Sequence, residues 1–115
     1  MPLRGVNKHA VFTAESLISG GTATSAAFSG IAGGKDMSLF LTVTGAGGTL
    51  KAEILTSHDA ATFTVPETGS TIIEGVTTTV QRHAAISTPL CIQYKIKLTN
   101  SGASTVTVTC VVLSQ

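Results

Sequence analysis

Ser57-His58-Asp59 sets a hydroxyl, an imidazole and a carboxylate side by side, the three groups of a hydrolytic triad. Neighbouring side chains in extended backbone point apart, so three consecutive residues cannot build the nucleophile–base–orienter chain that acyl transfer needs. The stretch reads instead as a turn in which Asp59 accepts hydrogen bonds from nearby backbone N–H groups. His9, His58 and His83 are scattered, and no carboxylate or thiol stands at ligand spacing from them, so a zinc site is not expected. Calcium requires clustered oxygens, and Asp36, Glu53, Asp59, Glu67 and Glu74 are isolated; a site assembled from loops stays open. Gly45-Ala46-Gly47-Gly48 and Gly33-Gly34-Lys35-Asp36 have the glycine content of a phosphate loop. Each leads into an alternating segment rather than a helix whose N-terminus would hold the anion. The expectation is a non-enzymatic chain: no catalytic residue, no metal, no cofactor.

Binding of sugars is the rival to a purely structural role. Small β-sandwiches that bind carbohydrate usually stack sugar rings on exposed Trp or Tyr, and this chain has no Trp, one Tyr and four Phe. Tyr94 and Phe63 read as core, and Phe40 alone has a claim to exposure. A hydrogen-bonding site made by loops would still serve such a module.

The bulk numbers bound the rest. At 115 residues the chain is one domain with one modest core. Its 43% hydrophobic content argues against disorder, and a net charge of +1 offers no basic stripe for nucleic acid. With charged residues at only 11%, much of the outside must be Thr, Ser, Ala and Gly, a surface suited to being hidden in part by a partner. No run approaches the roughly 20 apolar residues of a membrane span. Glu15 interrupts the segment after Arg4 and Lys8 before it could act as a secretory signal. Cys91 and Cys110 are expected to be thiols, as in a reducing cytoplasm.

The elements that must carry any site are strands. Alternation puts Ile92, Tyr94, Ile96 and Leu98 on one side of their segment, and Val106, Val108, Cys110 and Val112 on one side of theirs. Between them, Asn100-Ser101-Gly102-Ala103-Ser104 is a turn, and the two runs are expected to pair as a hairpin, with Ile92 near Val112, Tyr94 near Cys110 and Leu98 near Val106. In that register Cys110 points inward and Cys91 outward, which excludes a disulfide between them. A second hairpin is expected around Gly45–Gly48, pairing Val43 with Leu50, Leu41 with Ala52 and Leu39 with Ile54. Its outer face would bring Phe40 near Glu53 and diagonal to Leu55, an apolar spot covered by an N-terminal arm or loop, or serving as a subunit contact. Thr22–Phe28 is a weak strand and residues 30–36 a loop. Short runs follow at Ser70–Ile73 and Val76–Val80, and residues 81–90 read as a connection. Strands at roughly ten-residue spacing, with no helix of crossover length, predict an all-β fold: an antiparallel, jelly-roll-like β-sandwich of six to nine short strands. Residues 1–15 are an extended N-terminal arm or a first strand, and residues 16–115 the single sandwich domain.

The stretch "MSLFLTVTGAGGTLKAEILTSHDAATF" followed by "PLCIQYKIKLTNSGASTVTVTCVVLSQ" resembles small β-sandwich structural proteins of tailed bacteriophages. The likeness rests on Ser57, Asp59 and Phe63, then on Tyr94, Lys95, Ile96, Leu98, Thr99, Asn100 and Gly102. Galactose-binding-like sandwiches share the Ser-x-Asp turn, but usually with Gly where this chain has Ala60. The resemblance implies a virion component assembled in the host cytoplasm, a capsid decoration or cement protein or a head- or tail-associated subunit. Its implied partners are viral capsid or tail proteins and copies of itself, a trimer above other oligomers, with neither nucleic acid nor membrane. Leu3, Arg4, Val6, Lys8, Val11 and Phe12 in the arm, with Phe40 and Leu55, are the candidate intersubunit contacts. The uncharged segment from Ser101 to Gln115 is expected to lie in the centre of its sheet or against a neighbouring subunit.

Overall fold

The computed structural model describes residues 7–29, 37–66, 71–77, 80–86 and 92–114. Eight strands make up this part of the chain: β1 (Asn7–Leu17), β2 (Thr22–Thr24), β3 (Met37–Thr44), β4 (Leu50–Ser57), β5 (Thr71–Val76), β6 (Val80–Ile86), β7 (Gln93–Asn100) and β8 (Val106–Ser114). They form two four-stranded antiparallel sheets, ordered β1-β8-β3-β6 and β2-β7-β4-β5. This is the order of a jelly roll, in which the chain behaves as one long hairpin wrapped over itself, so that consecutive strands change layer except at β4–β5, which pair side by side. The sandwich fold expected from the sequence is therefore the fold observed.

The core lies between the layers and is made by strict alternation. In β3 the side chains of Met37, Leu39, Leu41 and Val43 are buried; in β7 those of Tyr94, Ile96, Leu98 and Asn100 are. Leu39, Leu41, Leu50, Ile54, Ile96, Leu98, Val108 and Val112 are fully buried, and at about 25 cal/mol per Å² of apolar surface these are the residues that hold the layers together.

Both expected hairpins are corrected. β7 and β8 lie in opposite sheets, and so do β3 and β4. Tyr94 pairs with Thr56 and Leu98 with Ala52, whereas Cys110 pairs with Leu41 and Val112 with Leu39. Ile92, expected inside, is 54% exposed. The loops at 45–49 and 101–105 cross the roughly 10 Å between layers instead of turning within one. Alternation assigns each side chain a face, but two inward faces satisfy it equally by meeting across the core or side by side. Residues 81–86, read as part of a connection, form with Val80 the edge strand β6, paired to β3 from Met37↔Ile86 to Val43↔Val80. The weak strand expected over Thr22–Phe28 shrinks to Thr22–Thr24 plus a single bridge between Phe28 and Tyr94. Of the two readings of the N-terminus, residues 7–17 take the strand form, bulged twice against β8, with Ala14 in the left-handed region at φ 48°. β8 is central, as its lack of charge predicted.

Candidate interaction surfaces

The turn after β4 forms as its residue types dictate. Asp59 Oδ1 accepts hydrogen bonds from the Thr62 N–H at 2.8 Å, the Ala61 N–H at 2.9 Å and the Ser57 hydroxyl at 3.0 Å. Ser57 Oγ in turn accepts from the N–H groups of Ala60 and Asp59. Ala60 sits at φ 64°, which closes the turn. The Thr62 and Ala61 N–H groups, with the Ser57 hydroxyl, hold the exposed Asp59 carboxyl down to about 2. His58 is exposed and takes no part in these bonds, so the three residue types of a triad make a turn and nothing nucleophilic. Among the described residues no three His, Cys, Asp or Glu side chains come together as metal ligands. Those residues also contain no helix long and apolar enough to cross a membrane. Cys110 is a free buried thiol, pushed up to about 12 by burial, and is thus protonated and inert at neutral pH. Cys91 lies outside the described residues.

The candidate contacts scatter. Leu3, Arg4 and Val6 lie outside the described residues. Lys8 is exposed at the edge of the first sheet, Val11 is half-buried against the core, and Phe12 is a core residue at 6% exposure. Phe12 is thereby withdrawn as a contact: a β-bulge between Ala10 and Phe12 shifts the register and sets it opposite Cys110, on the inner face. Phe40 and Leu55 are both half-buried on outer faces, but of different sheets, so the apolar spot expected from their pairing does not exist. Each has other company. Phe40 stacks on His83 with ring centroids 5.1 Å apart, and Leu55 lies in register with Lys95, whose ammonium sits 4.4 Å from the Phe63 ring centroid. Phe63, expected in the core, is half-buried beneath that cation.

The two outer faces differ in kind. The β2-β7-β4-β5 face displays Lys51, Lys95 and Lys97, three of the chain's seven basic residues, with Glu53. Lys51 Nζ is 3.6 Å from Glu53 Oε1, and Glu53 is in register with Lys97. At one end of this face Lys51, Glu74, Thr99 and Ser101 line an open cleft of about 570 Å³ that contains no aromatic side chain. The β1-β8-β3-β6 face instead carries Ala10, Val111, Phe40 and His83 in one row spanning all four strands. The neighbouring rows hold Leu113, Ser38 and Ala85 on one side and Thr109, Thr42 and Gln81 on the other. Sequence reasoning found Phe40 but not this row, because the row is assembled from strands up to about a hundred residues apart in the chain.

The fold defines the class, an eight-stranded jelly roll. No protein-family model and no curated protein matches the sequence. Solved structures share the fold. A chain of the infectious bursal virus derived T=1 particles matches with TM-score 0.64 and 13% identity, over 96% of this chain and 31% of its own. The SPBc2 prophage-derived protein YomS matches with TM-score 0.51 and 14% identity over 98% of both chains. A protein named PirA matches with TM-score 0.56 and 12% identity, over 100% of this chain and 97% of its own. The chain thus spans about a third, 30% to 32%, of the infectious bursal disease virus chains it matches, and nearly the whole of the other two.

Proposed function

We propose that this chain is a non-enzymatic virion structural protein, which stabilises or decorates a phage particle as a capsid decoration or cement protein or as a head- or tail-associated subunit. One observation carries the reading: a jelly roll whose whole length is shared in fold with a domain-sized part of a virus-particle chain and with a prophage-derived protein of matching span. The surface supports it. Sparse charge and rigid β structure suit a block that acts by burial, each contact contributing about 25 cal/mol per Å² of apolar area and many symmetric copies adding up. Its partners would be capsid or tail proteins and copies of itself, a trimer above other forms, joined through the segment that includes Leu3, Arg4, Val6 and Lys8. Assembly would take place in the host cytoplasm.

Quantitative mass spectrometry of particles purified from the phage or prophage encoding the chain should find it at a fixed ratio to the major shell subunit. Its absence from those particles, together with reproducible binding to one sugar class on a glycan array, would replace this reading by that of a carbohydrate-binding adhesion module. Deleting Met1–His9 should lower attachment or oligomer mass; unchanged assembly would remove the arm from the contact.

A further inference from the structure

We propose that the outer face of the β1-β8-β3-β6 sheet is an isologous two-fold contact between copies of this chain, centred on Phe40 and Val111. The inference rests on reading the chain as an assembling subunit and adds to it the surface and the symmetry. Three observations carry it. First, the central row Ala10–Val111–Phe40–His83 crosses the sheet without a charge, and the rows beside it are likewise uncharged as far as Lys8 at the margin. Of the described charges on this sheet, Lys8 stands at the margin of the outer face opposite Leu113, whereas Glu15 and Arg82 lie on the edge strands opposite the inward-facing Val108 and Leu41. An uncharged face with its one charge at the margin matches the composition of an interface core, where ionised groups are depleted.

Second, the charge distribution selects the occupant. A two-fold axis brings each face against itself. On the opposite sheet that operation would bury Lys51, Lys95 and Lys97 from both copies with only the two Glu53 carboxylates to offset them, an excess of like charge in a drying contact. On this sheet it sets Phe40, Val111 and threonines against their own kind at no electrostatic cost. Third, the area suffices. Four strands about 4.8 Å apart and eight residues long offer about 500 Å² per copy, hence about 1,000 Å² in the pair, the lower bound of a specific contact. Sheets packed face to face at about 10 Å, turned by about 30°, would interleave the Phe40 rings with the partner's Val111 and Leu113 positions.

The test is the native mass of the full chain at roughly 100 µM, where a contact of this small area is populated. An even number of copies is expected: a dimer, or a hexamer if a trimeric contact forms elsewhere. Phe40→Lys should halve that mass. Thr42→Lys, which adds a charge at the centre of the face without removing a packed side chain, should do the same, with circular dichroism unchanged. Lys97→Ala on the other sheet should leave the mass as it is. A monomeric or odd-numbered wild type, or a mass unmoved in folded Phe40→Lys and Thr42→Lys proteins, overturns the proposal. Such a result would leave the virion reading to stand or fall on the particle ratio alone.

Discussion

The two ends of the sandwich are closed in different ways. At the end where β7 finishes, one buried side chain ties three loops. The Asn100 amide donates to the carbonyls of Leu17 at 3.0 Å and Ser104 at 2.9 Å, while its Oδ1 accepts from the N–H groups of Thr49 at 3.1 Å and Gly102 at 3.0 Å. Its own backbone pairs with Gly20 and Gly21. Both donors and both acceptors of the amide are used, and Asn100 is 0% exposed. The loops meet so closely there that a Cβ on Gly102 would lie 2.5 Å from the backbone of Gly48 and Thr49. The opposite end is closed by rings. His9 stacks on Phe28 at 5.3 Å and Phe28 on Tyr94 at 5.7 Å, and His9 Nε2 is buried with no hydrogen-bond partner among the described residues. Among the described residues the polar turn beside it, Ser57 to Thr62, bonds within itself, and the Ser57 carbonyl accepts from the Ile92 N–H beside the Thr56–Thr64 bridge. One end is thus specified by a buried side-chain amide that links distant segments, the other by ring stacking over the Phe28–Tyr94 backbone bridge plus a local turn. A polar group makes a fold unique only where its partners come from different elements.

This contrast can be broken in a graded series. Asn100→Ala should have the largest effect, about 3–4 kcal/mol of unfolding free energy by urea titration, because it leaves a cavity and takes the partner from two part-buried N–H groups and two carbonyls at once. A loss below about 1 kcal/mol would show that water replaces the amide and that this end is not tied by it. Phe28→Leu should cost about 1–2 kcal/mol, through lost ring contact in a site that can partly collapse. His9→Phe sharpens the comparison by reversing its sign. Replacing an unpartnered buried nitrogen with carbon, while keeping a ring against Phe28, should stabilise by up to about 1 kcal/mol. A destabilised His9→Phe protein would mean that the nitrogen has a partner after all.

The smallest effect is visible only as a pH dependence. The folded Asp59 carboxyl titrates at about 2, below the ordinary carboxylate range near 3.9, because Thr62, Ala61 and Ser57 donate to its charged form. The folded state therefore binds its proton less readily than the unfolded chain. The stabilisation is present in full above about pH 4 and is lost as pH falls through about 2. Asp59→Asn should remove that dependence, so the stability gap between wild type and variant narrows from pH 4 to pH 2 in parallel urea titrations. A constant gap across that window would show that the turn does not depend on the charge.

The sequence by itself determined what is local. Alternation in residues 37–44, 50–57, 93–100 and 106–114 assigned inner and outer faces, since successive strand side chains must oppose each other. Residue chemistry at Ser57–Asp59 assigned a turn, since a serine and an aspartate two apart can satisfy their own backbone. The uncharged last segment restricted β8 to the middle of a sheet or to a subunit contact, and the fold takes the first. Only the tertiary structure decided partners. Whether β7 lies beside β8 or across the core from it changes no residue's burial, so the pattern is silent on it, and the loops that cross the sandwich look in sequence like the loops of hairpins. For the same reason Phe12 passed for an arm residue until a bulge turned it inward, and the Ala10–Val111–Phe40–His83 row and the Asn100 tie were invisible. Each is assembled from strands distant in the chain, and what joins them is the packing of one layer against another, which no single segment encodes.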